Sequence, residues 1–257
     1  INLTLDANLN NAAYQAMAGR KGVVALYNYK TGEVLCMLST PSFDPADDAE
    51  VAKVAAGDSN YDGAYLNRFL SGTYTPGSTF KLVTSAAALE TLHNENSFSY
   101  TCKGSLTLNG EKITCPSVHG TQDFATALAN SCNGAFATLA TQVGGKTLEK
   151  YAKEAGLTSK VNVNGVNSAA GNFTAGTSDN DVGWSGVGQY KYLVNPCAEL
   201  TLMGCIAQGG SAATPRPLKS VTSAKGLPVA HVTTETSQIG WKAETCDKIR
   251  TMMHNNV

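Results

Sequence analysis

Strand-like runs lie near both ends of this chain and helical runs fill its middle, and that order restricts the fold more than any other feature. Val23 to Tyr29 and Glu33 to Ser39 are rich in Val, Leu and Tyr and are separated by Lys30-Thr31-Gly32, which predicts a hairpin with Gly supplying the turn. Pro215 to Val221 and Pro228 to Thr233 read as late strands. Between them lie Ser78 to Leu92, Thr121 to Val143, Lys146 to Ala155 and Cys197 to Gln208, all with helical composition. Asp6 to Ala18, stopping at Gly19, predicts an opening helix, and Trp241 to His254 a closing one. An α+β domain whose sheet is closed by late strands follows.

Pro41 to Gly63 is rich in Asp and Ala without clear period and reads as a surface excursion. Leu106 to Ile113 is a small hairpin marked by Asn109-Gly110. The Ala- and Leu-rich stretch from Thr121 to Val143 breaks at Asn130 to Gly134, which predicts two helices with a polar junction holding Ser131 and Asn133. The 257 residues, 42% of them hydrophobic, suffice for one large globular domain. With 19 basic and 20 acidic residues and no long run of either sign, the chain carries no footprint for nucleic acid or anionic lipid. Apolar stretches such as Val23 to Tyr27 fall far short of the roughly 20 residues that span a bilayer. The chain opens on Ile1 and runs straight into Leu3-Thr4-Leu5-Asp6, which reads as the interior of a longer protein.

Chemistry concentrates at Ser78-Thr79-Phe80-Lys81. Pro76 and Gly77 place Ser78 at a helix N-terminus, where the local positive potential and the serine's own N–H favour an oxyanion. A Ser and a Lys three apart share a helix face, so the amine can take the hydroxyl proton during attack on a carbonyl. That role requires a transiently neutral Lys81, which burial or nearby positive charge would promote.

Tyr65 to Leu70, followed by Tyr74-Thr75-Pro76-Gly77-Ser78-Thr79-Phe80-Lys81, closely resembles the approach to the active-site serine of penicillin-binding proteins. Ser131-Cys132-Asn133, 53 residues after Ser78, supplies that family's second motif, S-x-N. Gly22 to Leu26, Thr31 to Leu35 and Thr40 to Pro45 resemble the opening strands of the class B, monofunctional transpeptidase domain. Gly188-Gln189, Asn195-Pro196 and Gly209-Gly210 through Pro215 resemble its later helix-to-strand passage.

The resemblance implies a fold like that of penicillin-binding proteins and serine β-lactamases: a central antiparallel sheet, helices on both sides and a helical subdomain. It implies D,D-transpeptidation of peptidoglycan stem peptides through a Ser78 acyl-enzyme, and acylation of the same serine by β-lactams. Lys81 would be the base, Ser131 would relay protons between Lys81 and the leaving amine, and Asn133 would hydrogen-bond the donor peptide. Cell-wall synthesis proteins are the implied partners, and the implied location is the outer face of the bacterial cytoplasmic membrane, tethered by an N-terminal anchor outside this chain. Two other functions share these motifs. One is a serine β-lactamase, one class of which uses S-T-F-K, against which Asn133 and the preceding resemblance argue. The other is a non-catalytic penicillin-binding sensor or scaffold.

The chain departs from the pattern in its third motif, K-T-G or K-S-G on a sheet strand after the last helix. Lys30-Thr31-Gly32 precedes the nucleophile and occupies a hairpin turn, so it is not that motif. The expected place is beyond Val257, on a piece absent, disordered or separate, and these 257 residues alone are expected to turn over poorly.

The cysteines number seven, an odd count for a secreted disulfide framework. Cys102 and Cys115 flank the Asn109-Gly110 hairpin and are expected to form a disulfide, worth about 3 kcal/mol in the chain-entropy view. The alternatives are a zinc site from Cys102, Cys115, His119 and Cys132, or free thiols. Some members of the family carry zinc near S-x-N with a different ligand spacing. No cofactor is otherwise implied. Cys36, Cys197 and Cys205 sit in apolar runs and read as core, and His93, His231 and His254 as surface residues.

Overall fold

The computed structural model describes residues 1–93, 96–230 and 232–254. The expected hairpin forms from Gly22–Tyr27 and Val34–Thr40, antiparallel, with Gly22 opposite Thr40 and Leu26 opposite Cys36. Lys30-Thr31-Gly32 lies in its turn, with Gly32 at φ +77°, a left-handed value that glycine adopts without a steric penalty. The opening helix, Ala7–Met17, is capped by Asp6, which accepts from the Asn8 and Leu9 amides. It covers one edge of the hairpin: Asn10 Oδ1 accepts from Met37 N at 3.2 Å, and Leu35 O accepts from Asp6 N at 2.8 Å. Satisfying edge groups in this way blocks strand addition there. One hairpin face, with Val23, Ala25 and Met37, packs on buried Phe69 and Cys197 from two helices, Arg68–Ser71 and Pro196–Ala207.

The late strands reach the hairpin at its turn rather than along its length. Arg216 N donates to Gly32 O at 2.7 Å, Val34 N to Arg216 O at 3.0 Å, and Ala213 N to Tyr29 O at 2.9 Å. Leu218–Thr222 then pairs with Asn2–Leu3 and Pro228–Ala230, and Ser211–Ala213 pairs with Thr236–Gln238. The sheet part of this α+β fold is therefore a set of short ladders among the described residues.

The helical part centres on Lys81–Thr91, in which every residue from Lys81 to Leu89 is buried. A helix that is buried all round shows no stripe in its sequence, only composition. Asn133–Val143, Gly145–Glu154, Asp179–Val187 and Ala243–His254 surround it. Close approach is built with small residues: a Cβ on Gly186 would collide with the Ala140 methyl, and Thr84 Oγ1 donates to Gly186 O at 2.8 Å. No described helix is long and apolar enough to cross a membrane.

The excursion after Pro41 contains a helix, Asp48–Ala55, capped by Asp47 and without a single buried residue. Its lack of a buried face is why it left no period in the sequence. The disulfide expected between Cys102 and Cys115 is not formed; both thiols are free. The hairpin strands, Ser105–Leu108 and Glu111–Thr114, lie inside both cysteines. Cys102 pairs elsewhere, in Tyr100–Cys102 against Gly120–Gln122, opposite Gly120. Cys36, Cys197 and Cys205 are buried and His93 and His254 exposed, as expected; His231 lies outside the described residues.

Candidate active site

Ser78 lies in a tight turn, Gly77–Phe80, that runs directly into Lys81–Thr91. Two backbone attachments fix this entry: Tyr74 and Val194 exchange both hydrogen bonds, at 2.9 and 2.8 Å, and Gly77 N donates to Gly188 O at 3.0 Å. Gly188, at φ +95°, has no room for a Cβ beside the Gly77 carbonyl. Phe80 anchors the turn from below, stacked on Phe173 at 4.8 Å and tilted against Tyr192 at 5.0 Å between ring centroids. Ser78 is thereby left exposed and Lys81 is 1% exposed beneath it.

Ser131 belongs to the junction between Phe124–Ala129 and Asn133–Val143. Its φ of +49° is left-handed, a conformation a serine adopts only when its surroundings impose it. The imposing contacts are backbone hydrogen bonds, Ser131 N to Leu128 O and Cys132 N to Ala127 O, both 2.9 Å. The turn aims both the Ser131 hydroxyl and its carbonyl at Lys81. Nζ has four oxygens within hydrogen-bonding distance of its three hydrogens: Ser131 O at 2.7 Å, Ser131 Oγ at 2.9 Å, Asn133 Oδ1 at 2.7 Å and Ser78 Oγ at 3.2 Å. Ser131 Oγ also lies 2.9 Å from Ser78 Oγ. Asn133 is oriented from behind by Thr114, whose carbonyl accepts from Nδ2 at 2.7 Å. An amide nitrogen carries two hydrogens, so one N–H remains for a ligand.

Burial lowers the Lys81 pKa to about 8, with nearby Cys132 and Cys115 acting in the opposite sense. The Phe136 ring, 5.7 Å from Nζ to its centroid, offers the ammonium a weak cation–π contact. The four residues singled out by spacing are thus brought to one point from segments 50 residues apart.

Sequence reasoning missed two neighbours. Glu199, on Pro196–Ala207, has its carboxyl pushed up by burial while a hydrogen bond with Thr79 works against the shift. Thr114 contributes only a carbonyl, which no side-chain pattern reveals. The third group of interest is the cluster Cys102, Cys115, His119 and Cys132, whose ligand atoms all lie within 4.8 Å of one another. Cys132 is the middle residue of Ser131-Cys132-Asn133 and stands immediately before the helix that follows.

Residues 22–257 match the family described as penicillin binding protein transpeptidase domain. The chain belongs to this family. It is 30% identical over 253 residues to peptidoglycan D,D-transpeptidase PbpA of Mycobacterium tuberculosis, which covers 91% of this chain and 50% of that protein. It is 36% identical over 165 residues to stage V sporulation protein D of Bacillus subtilis, covering 62% of this chain and 24% of that protein. Among solved structures, penicillin-binding protein A from M. tuberculosis as a ceftriaxone acyl-enzyme complex superposes with a TM-score of 0.87. The two share 25% identity, over 100% of this chain and 61% of that one. The chain therefore spans about half or less of the length of these curated relatives. The expected penicillin-binding fold is established by this superposition.

Proposed function

We propose that this chain is the acyl-transfer unit of a peptidoglycan D,D-transpeptidase and that Ser78 forms the acyl-enzyme. The observation that carries this reading is the buried Lys81 amine, which lies 3.2 Å from Ser78 Oγ and 2.9 Å from Ser131 Oγ. In the first half-reaction Ser78 Oγ attacks the D-Ala-D-Ala carbonyl and its proton passes to neutral Lys81, directly or through Ser131. The C–N bond then breaks, and the departing D-alanine amine takes a proton back through Ser131. In the second, an amine of a neighbouring stem peptide attacks the ester carbonyl, the C–O bond breaks, and Ser78 recovers its proton. The free Asn133 N–H is suited to a carbonyl of the donor peptide. A β-lactam carbonyl would acylate the same oxygen.

This chemistry needs no cofactor; a metal in the neighbouring thiol and imidazole cluster would act on the shape of the second motif, not on the reacting atoms. The similarity to a transpeptidase and to an acyl-enzyme complex supports the reading, and the proposed site of action is the outer face of the cytoplasmic membrane, on cell-wall stem peptides. Cell-wall synthesis proteins are the proposed partners.

The test is covalent labelling of the parent protein by a fluorescent penicillin. Stoichiometric, long-lived label on the Ser78 peptide, lost in Ser78→Ala, together with D-alanine release from a stem pentapeptide, is expected. Rapid catalytic hydrolysis of the penicillin would instead make this a β-lactamase, and absence of label on Ser78 would end the enzyme reading.

A further inference from the structure

We infer that Cys102, Cys115, His119 and Cys132 form a structural zinc site that holds the second catalytic motif in place. Three sulfurs and an imidazole from four separate positions converge, with every ligand atom within 4.8 Å of the others. A tetrahedral zinc with Zn–S bonds of about 2.3 Å sets its sulfurs about 3.8 Å apart. Cys115 Sγ and Cys132 Sγ lie 3.8 Å apart. A disulfide requires about 2.05 Å, so the pair stands at metal-bridged and not at bonded separation.

A second observation points to a missing ligand. His119 Nδ1 is buried and has no hydrogen-bond partner among the described residues. Leaving a buried ring nitrogen unpaired costs free energy that a metal bond would recover. The sulfurs are also furnished with the amide donors that thiolates need: Gly134 N donates to Cys115 Sγ at 3.2 Å, and Gly104 N to Cys102 Sγ at 3.4 Å. Gly104 reaches Cys102 because its backbone takes φ +86° two residues on, a tight turn around the sulfur. Cys132 stands at the N-terminus of Asn133–Val143, so a bond to its sulfur would fix the first turn of that helix. Zinc binding would displace three thiol protons and leave a complex of net charge −1, with the imidazole as neutral fourth ligand.

The elements joined are informative. Cys102 ends one short strand, Cys115 follows the Ser105–Leu108 and Glu111–Thr114 hairpin, and His119 precedes Gly120–Gln122. All three come from a small β-flap, and Cys132 comes from the motif. The same flap supplies the Thr114 carbonyl that orients Asn133, one residue from Cys115. Zinc would therefore clamp flap to motif on both sides of Cys132, which makes the four ligands positioning residues for Ser131 and Asn133. This positioning role rests on the function proposed above; the metal site itself does not.

The experiment uses the parent protein purified without chelator from its own compartment. Close to one equivalent of zinc per chain is expected, released in step with modification of the thiols. Replacement of zinc by cobalt should give the visible d–d bands of a tetrahedral site and an ultraviolet thiolate-to-cobalt charge-transfer band. Cys115→Ser and His119→Ala should lose the metal, lower Tm by roughly 5–10 °C and slow penicillin acylation about tenfold or more. Cys36→Ser, in a thiol outside the cluster, should keep the metal. No bound zinc and no cobalt spectrum, or a disulfide joining any two of Cys102, Cys115 and Cys132, would overturn the assignment. If zinc is present but Ser78 is never labelled, the function falls and the metal site stands. If zinc is present and both ligand variants acylate at the wild-type rate, the clamp falls.

Discussion

Raising the pH from 7 to 9 should accelerate acylation of Ser78 about tenfold and then bring it to a plateau. The reasoning starts from Lys81, whose pKa burial lowers from 10.5 to about 8. Only the neutral amine can accept the Ser78 proton, and its fraction is about 9% at pH 7, 50% at pH 8 and 91% at pH 9. About fivefold of the gain therefore falls between pH 7 and 8, and less than twofold between 8 and 9. An exposed lysine at 10.5 would give a different curve, a rise of about 100-fold over the same span with no bend. The assay is the second-order rate constant for penicillin labelling in the parent protein, followed by fluorescence on gels at short times, with the reagent's own hydrolysis measured in parallel. A log-linear rise without a bend would show Lys81 to be unperturbed. A flat profile would show that its deprotonation does not limit acylation, and would refute the base assignment.

The same shift has a signature in stability. A lysine depressed on folding leaves the unfolded state holding more protons between pH 8 and 10.5, so stability rises with pH through that window. Urea unfolding of wild type relative to Lys81→Met should show a difference that grows by up to about 3 kcal/mol across it. Ser131→Ala removes the hydroxyl between Ser78 and Lys81 and should slow penicillin acylation by about 100-fold to 10,000-fold, with Tm nearly unchanged. Asn195 is fully buried, donates to the carbonyls of Phe69, Leu70 and Gly72, and caps Pro196–Ala207. Asn195→Ala should cost about 3 kcal/mol in chemical denaturation, because several buried backbone groups lose their partner at once.

What the sequence reveals about this molecule follows how local each cause is. The hairpin, the helix behind Ser78 and the junction at Ser131 are legible because turn residues and composition specify them within a few positions. Asp179–Val187 is not legible: its two glycines argue against a helix, yet those glycines let it lie against Asn133–Val143, and Gly186 meets Ala140 where a side chain would clash. Here tertiary packing overrides propensity. The cysteines fail for a related reason. Cys102 and Cys115 flank a turn signal, which suggests that they face each other, but the strands of that turn lie wholly inside them and Cys102 joins another ladder. The convergence of Thr114, Asn133 and Lys81 is likewise a product of packing.

The contacts of Lys81 also say which state the site rests in. The two shortest, 2.7 Å each, are to Ser131 O and Asn133 Oδ1, oxygens that only accept, so they demand hydrogens on Nζ. With a pKa near 8, those hydrogens include the third proton at neutral pH. At rest, then, Lys81 is an ammonium that ties the second motif to the helix behind Ser78, and Ser78, at 3.2 Å, is its most distant acceptor. Deprotonation leaves two hydrogens, enough for the two acceptor-only oxygens, and turns the lone pair toward the two hydroxyls. The route from Ser78 through Ser131 consists of two 2.9 Å steps, each shorter than the direct 3.2 Å approach. The resting geometry therefore favours transfer through Ser131 in the proposed reaction, with the proton passing over the hydroxyl held at a strained left-handed position.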